Sequence, residues 1–176
     1  MINTGNSLDI SIEGDGFFQV LLPDGRVGYT RSGAFSRNAE GTVVTASGYP
    51  LQPEITIPPE ALSINIASDG IVTVQVPGAV DAEEVGQITL ADFPNRQGLQ
   101  PNGESMLMES PASGAPIVAA PFEEGMGRTV QGSLESSNVN VVQELVDMIE
   151  TQRAYEVSSK TITSVDEMMR YLAQNV

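Results

Sequence analysis

The chain has 176 residues, with 23 acidic and 8 basic side chains and a formal net charge of -15 at pH 7. This charge repels nucleic acid and anionic membrane surfaces, so neither is an expected partner. The absence of Cys and His excludes disulfides, thiolate zinc sites, thiol nucleophiles and the commonest general base. No run of about 18 apolar residues could span a bilayer, and "MINTGNSLDI" lacks the regions of a cleavable signal peptide.

Short strands are predicted from Leu8 to about Phe122. "LDISIE" alternates apolar and polar residues, as a half-buried strand does. "GFFQVLL" and "RVGYTR" flank "PDG", a turn sequence that predicts a hairpin. Further strand candidates are "TVVTA" at 42–46, "LSINI" at 62–66, "IVTVQV" at 71–76 and "GQITLADF" at 86–93. This spacing is typical of an antiparallel β-barrel or sandwich.

Residues 98–127 are rich in Gly, Pro and Ser. This composition predicts long loops, with one further strand candidate at "SMLME".

A single long helix is predicted at the C-terminal end. Residues 139–175 contain neither Gly nor Pro, which favours one helix of about 36 residues and about 54 Å. Glu144 lies in an early turn, where the positive end of the helix dipole favours a carboxylate. The candidate N-terminal caps are Ser136, Ser137, Asn138 and Asn140.

Apolar residues form two seams on this helix. The first has Val139, Val142, Val146 and Ile149 with Leu145 beside them, and the second has Ile162, Val165, Met169, Leu172 and Val176. At about 100° per residue the two seams face directions about 150° apart. The polar stretch "ETQRAYE" lies between them. Two alternatives stay open: a bent helix that follows one partner, or a helix that contacts different neighbours at its two halves, as in a polymer.

Motifs that resemble functional sites have simpler explanations. "EGDGFF" lacks the spaced oxygen ligands of a calcium loop and reads as a turn between strands. Phe17 and Phe18 should face opposite sides of a strand. The methionines are expected to pack and not to bind metal. No catalytic, cofactor or metal site is therefore expected.

Several blocks resemble the bacterial flagellar basal-body rod and hook proteins. They are "TGNSLDISIEGDGFFQV", "YTRSGAF", "ITIPPEALSINIASDGIVTV" and "SSNVNVVQELVDMIETQRAYEVSSKTI". They occur in the family's order, and the "ITIPPEALSI" block favours the distal rod over the proximal rod and the hook.

The resemblance implies three regions: a β-rich outer domain at 1–128, a linker and helix cap at 129–138, and at 139–176 a helix of an inner tube domain with coiled-coil-like packing. It implies a structural, self-assembling subunit of a hollow helical shaft that transmits torque from motor to hook. The implied partners are further copies of the chain, proximal rod and hook proteins, and ring proteins around the rod. The implied location is the periplasm-spanning rod, reached by type III export without a cleaved signal peptide.

The subunit interface is expected on the helix. Its residues are Val142, Leu145, Val146, Ile149, Gln152, Arg153, Tyr155, Ile162, Val165, Met169 and Leu172. By the resemblance, the polar residues of this set supply directional contacts across subunits.

One feature departs from the family pattern. Family members begin with a long helical segment before the "TGNSLDI" block, whereas this chain begins close to that block, which suggests a truncated product. The alternative functions are a proximal rod or hook protein, a cell-envelope carbohydrate-active enzyme built on a carboxylate pair, and an acidic binding domain.

Overall fold

The computed structural model describes residues 1–78 and 81–174, with side chains described to Arg170 within the final helix. The chain forms two compact units, Met1–Ser136 and Ser137–Val176. We call the first the β unit. The second contains one helix.

The described residues of the β unit form short strands joined by turns. They are β1 (Ile2–Asn3), β2 (Ile10–Glu13), β3 (Phe17–Leu21), β4 (Val27–Thr30), β5 (Phe35–Arg37), β6 (Val43–Thr45), β7 (Leu51–Gln52), β8 (Ser63–Ile66), β9 (Ile71–Gln75), β10 (Glu83–Gln87), β11 (Leu90–Asp92), β12 (Gln100–Gly103), β13 (Met106–Met108), β14 (Ile117–Ala119), β15 (Arg128–Gln131) and β16 (Ser133–Leu134). The predicted mainly β class with one long C-terminal helix is confirmed.

All pairings between these strands are antiparallel. The largest sheet has the order β12-β13-β4-β3-β11-β14, with β7 also paired to β3. A three-stranded sheet has the order β10-β9-β8, and β1-β16, β15-β2 and β5-β6 form two-stranded pairs. The predicted hairpin is confirmed by β3 and β4, in which Leu21 lies opposite Val27.

Two apolar clusters fill the β unit. Phe18 belongs to the larger cluster, where it contacts Phe35 edge to face, and Phe17 belongs to the smaller one with Phe93. The two neighbouring phenylalanines therefore face opposite sides of β3, as predicted. Both are buried by residues of the same unit.

The prediction of one strand at 86–93 was wrong, because the chain changes sheets there. β10 ends at Gln87 and pairs with β9, whereas β11 begins at Leu90 and pairs with β3. Between them, Ile88 is buried and its N–H donates to Gly70 O at 2.8 Å. Local periodicity does not mark this change, since both strands continue the same apolar pattern.

Several strands form where the sequence predicted loops. β12 and β14 extend the largest sheet within residues 98–127, alongside the expected strand β13. β16 and all but the first residue of β15 lie within residues 129–138, the predicted linker. β15 pairs with β2 over four residues, from Arg128 opposite Glu13 to Gln131 opposite Ile10. These strands are stabilised by distant partners, which a local pattern does not reveal.

The burial predicted for β2 differs from the observed burial. Ser11 is as buried as Ile10 and Ile12, so β2 is covered on both faces.

The helix α1 spans Val141–Gln174. Asn140 is its N-terminal cap, because its Oδ1 accepts hydrogen bonds from Val142 N at 3.1 Å and Gln143 N at 3.4 Å. Glu144 lies in the first turn, as predicted.

Candidate assembly interface

Every side chain described on α1, from Val141 to Arg170, is exposed. The exposed fraction is 70% at Val142, 48% at Ile149, 77% at Tyr155 and 64% at Met169. The remaining predicted interface residues with described side chains are also exposed: Leu145, Val146, Gln152, Arg153, Ile162 and Val165. The side chain of Leu172 lies outside the described residues, as does Val176.

Many of the exposed side chains of α1 are apolar, which is unusual for a helix in contact with water. A helix of 34 residues is about 51 Å long, and helices in proteins owe most of their stability to packing of an apolar face. Water-exposed Val, Ile and Met side chains over this length form an apolar surface of the kind that marks an interaction site. The exposed apolar side chains make α1 a candidate surface for a partner.

The apolar residues of α1 do not form one stripe. The first seam occupies the first three turns, and the second begins at Ile162. Because the helix is continuous from Val141 to Gln174, helical geometry keeps the two seams about 150° apart. A partner lying along one face covers only one of them.

The polar stretch between the seams has free hydrogen-bonding groups. Thr151 Oγ1 donates to Asp147 O and Ser158 Oγ to Ala154 O, so these hydroxyls are used within the helix. Among the described residues, no side-chain hydrogen bond or ion pair involves Gln152, Arg153 or Tyr155. Their amide, guanidinium and phenol groups remain available to a partner.

Asp15 and Asp92 do not form a catalytic pair. Arg96 binds Asp15 and Asp92 together, with N–O distances of 2.5 and 2.7 Å. Hydrogen bonds from Arg96 lower the pKa of both carboxyls, so neither is suited to act as a general acid. Glycoside hydrolysis needs one carboxyl with a raised pKa, which argues against the carbohydrate-active alternative.

The "EGDGFF" stretch connects β2 and β3, as predicted. Glu13 pairs with Arg128 at 2.5 Å, whereas Asp15 pairs with Arg96. The two carboxylates therefore bind different cations. Within residues 1–78 and 81–174, no group of three or more Asp or Glu side chains is placed to hold a metal ion.

Among the described residues, no helix is both long enough and apolar enough to cross a membrane.

Sequence reasoning missed a polar cluster where the β unit begins and ends. Asp9 accepts hydrogen bonds from Thr4 and Asn6, and the backbone of Gly132 bonds to Thr4 and Asp9. The available signal was the polar run at residues 4–7 shortly before Asp9, a carboxylate flanked by two apolar residues.

Two family models match the chain. Residues 11–74 match the flagellar hook protein FlgE/F/G D1 domain, and residues 130–175 match the C-terminal part of the flagellar basal body rod FlgEFG proteins. The second match includes the end of β15, β16 and all of α1.

Curated relatives match nearly the whole chain. The flagellar basal-body rod protein FlgG of Buchnera aphidicola subsp. Schizaphis graminum is 49% identical over 171 residues, 97% of this chain and 66% of the relative. FlgG of Agrobacterium fabrum is 45% identical over 176 residues, 100% of this chain and 67% of the relative. The rod protein FlgF of Caulobacter vibrioides is 34% identical over 175 residues, 97% of this chain and 66% of the relative.

The chain spans about two thirds of the length of these relatives. With this identity and coverage, the chain belongs to the FlgG family of flagellar basal-body rod proteins, which are structural proteins and not enzymes.

Proposed function

We propose that this protein is a structural subunit of the distal flagellar rod, where it assembles with further copies of itself into a helical shaft. The observation that carries the proposal is the exposure of the described apolar residues of both seams on α1. Contacts with further copies of the chain bury these apolar side chains. The higher identity to FlgG than to the FlgF relative supports the distal rod over the proximal rod.

In assembly through α1, the apolar and polar side chains have different roles. Burial of the seams supplies most of the stabilisation, because each large apolar side chain contributes about 1.5–3 kcal/mol when fully covered. Gln152, Arg153 and Tyr155 supply directional hydrogen bonds that fix the register. Two seams about 150° apart require two neighbours, and contacts that do not close on themselves generate a filament.

The proposal also gives the protein a location in the cell. A rod subunit lies between the motor and the hook and crosses the periplasm, so its further partners are proximal rod, hook and surrounding ring proteins. The proposed route there is type III export without a cleaved signal peptide. Transmission of torque needs a stiff shaft, and continuous helices with covered seams provide stiffness.

In the test, this chain replaces the matching region of Agrobacterium fabrum FlgG, to which it aligns over 176 residues. The chimera should assemble rods and support motility. Ile149→Asp and Met169→Asp should each abolish rod assembly, since an unpaired carboxylate buried in a seam costs several kcal/mol. Electron microscopy of isolated basal bodies and swimming assays measure the two outcomes.

Ser159→Asp is the matched control, because Ser159 lies on α1 outside both seams. It adds the same charge and should leave assembly intact. Seam variants that assemble as well as this control would refute the proposal, as would a folded chimera that forms no rods.

A further inference from the structure

The two ends of the β unit, residues 1–9 and 131–136, lie side by side. β1 pairs with β16, and Ile2 lies opposite Leu134. Next to this pair, Thr4 N and Gly5 N both donate to Gly132 O, at 2.8 and 3.2 Å. Gly132 N in turn donates to Asp9 O at 2.7 Å. The backbone of one glycine therefore ties both sides of the first loop to the last strands.

The carboxylate of Asp9 keeps this first loop folded. It accepts hydrogen bonds from Thr4 Oγ1 and from Asn6 Nδ2, the latter at 3.0 Å. Asp9 is buried, and a buried polar group that loses its hydrogen-bond partner destabilises the fold. Loss of this carboxylate leaves the loop held by its backbone contacts to Gly132.

Gln131 joins the same loop to another sheet. Its Nε2 donates to Ser7 O at 2.8 Å and to Ile64 O at 3.0 Å, and its Oε1 accepts from Ile66 N at 3.1 Å. One side chain therefore holds the first loop, β8 and β15 together.

Arg31 makes a comparable connection at the end of the unit. Its guanidinium donates to three backbone carbonyls, those of Ile12, Gly14 and Gly16, at 3.2, 2.9 and 2.7 Å. Its Nε donates to Glu135 Oε2 at 2.8 Å. The arginine thus anchors the residue after β16 to the turn between β2 and β3.

We propose that Thr4, Asp9, Gln131, Gly132 and the Arg31–Glu135 pair form an end clamp that makes both ends of the β unit move with it as one body. The two-residue β1–β16 pair is too short to resist load alone. Tension along residues 137–140, which lead to α1, acts first on β16, and the clamp distributes it to β2, β8 and the first loop. That such tension arises in a torque-transmitting rod rests on the proposed function.

Hydrogen exchange of the full chain tests the clamp directly. Asp9→Ala should speed exchange at the amides of Thr4, Gly5 and Gly132 by about tenfold or more, since the first loop loses both side-chain hydrogen bonds to Asp9 and opens more often. Exchange in β9 should stay unchanged. Thr4→Val, which removes one hydroxyl from an exposed residue, should give a smaller change in the same amides. Asp24→Ala, which removes a carboxylate paired with Arg26 in an exposed turn, is the control and should change none of them.

A pulling experiment tests the mechanical part. The chain has no Cys, so Ile2→Cys and Ser136→Cys provide unique handles at the two exposed ends. Thr4→Val and Asp9→Ala should lower the force of the first opening event and leave the force of the main unfolding event unchanged.

An unchanged first event in both variants overturns the clamp, and so do unchanged amides at Thr4, Gly5 and Gly132. If Asp9→Ala unfolds the whole β unit, the exchange rates and the first opening force of Thr4→Val alone test the clamp. These measurements on the isolated chain do not depend on rod assembly, so their failure is distinct from failure of the proposed function.

Discussion

At the residue scale, the β unit has no room for a Cβ atom at Gly33. Gly33 lies so close to β2 that a Cβ would sit 1.6 Å from Ile10 O, whereas a Cβ on Gly28 would meet only the side chains of Leu22 and Val20, at 3.4 Å. Gly33 O also accepts hydrogen bonds from Ile10 N and Phe35 N. The requirement for glycine at position 33 is therefore steric and comes from the close contact between the loop before β5 and β2.

Gly33→Ala should reduce the free energy of unfolding by about 3 kcal/mol or more, because Ile10 and its strand must shift. Gly28→Ala, the matched control, should change it by less than about 1 kcal/mol, since 3.4 Å is ordinary contact. Urea denaturation of both variants measures the difference. Equal losses would contradict the close approach of Gly33 to β2.

Arg96 should make the stability of the β unit sensitive to acid. Hydrogen bonds from Arg96 lower the folded-state pKa of Asp15 and Asp92 below the ordinary 3.8. The folded state therefore binds fewer protons than the unfolded state, and the stabilisation is present above pH 3.8 and lost as the pH falls through the folded-state pKa values. Arg96→Gln should flatten this acid dependence in urea titrations at successive pH values.

Arg37→Gln is the control for that titration. Arg37 donates to Pro58 O and forms no ion pair among the described residues, so its loss should leave the acid dependence unchanged. An Arg96→Gln variant with the wild-type acid dependence would show that Asp15 and Asp92 keep ordinary pKa values.

At the scale of elements, α1 contrasts with the strands. Each strand of the β unit has a hydrogen-bonded neighbour in the same unit, whereas the described side chains of α1 are all exposed. The stability of α1 in the monomer therefore depends on its own caps and helix propensity. Local substitutions should affect it more than they affect a packed helix.

Asn140→Ala should lower the helix content of the monomer by removing the cap of Val142 and Gln143, at a cost of about 1 kcal/mol of helix stability. Ser137→Ala is the control, because Ser137 Oγ bonds Val139 N before the helix begins. Far-ultraviolet circular dichroism of dilute protein measures helix content. A larger loss in Ser137→Ala than in Asn140→Ala would place the cap elsewhere.

At the scale of the whole molecule, the chain separates into the β unit and the helical unit. The two apolar clusters of the β unit contain buried residues from β2 to the loop before β15. The β unit thus has its own core. The stability of the β unit depends on its last strands, because β15 pairs with β2 at four residues.

A fragment of residues 1–136 should melt cooperatively at the same midpoint as the β unit in the full chain. A fragment of residues 1–128 should not, since it loses β15 and the hydrogen bond from Thr129 Oγ1 to Ala67 O at 2.8 Å. Calorimetry of both fragments measures this. Cooperative melting of the shorter fragment at the same midpoint would move the boundary back to the predicted residue 128.

The sequence alone determined the features that depend on local chemistry. The "PDG" hairpin, the opposite facing of Phe17 and Phe18, the helix and its two seams all follow from turn residues and apolar periodicity. The family blocks also lie in contiguous stretches of sequence. The interface residues on α1 were likewise chosen from periodicity, and they remain a prediction because their partners belong to other molecules.

Only the tertiary structure decided features that depend on distant residues. The change of sheet at Ile88, the pairing of β15 with β2, the sharing of Arg96 by Asp15 and Asp92, and the bonds of Asp9 and Gly132 join residues far apart in the chain. Local patterns determine which residues favour a strand or a helix. Which strands pair is settled by the free energy of packing the whole unit, because a short strand gains most of its stability from the neighbours that cover it.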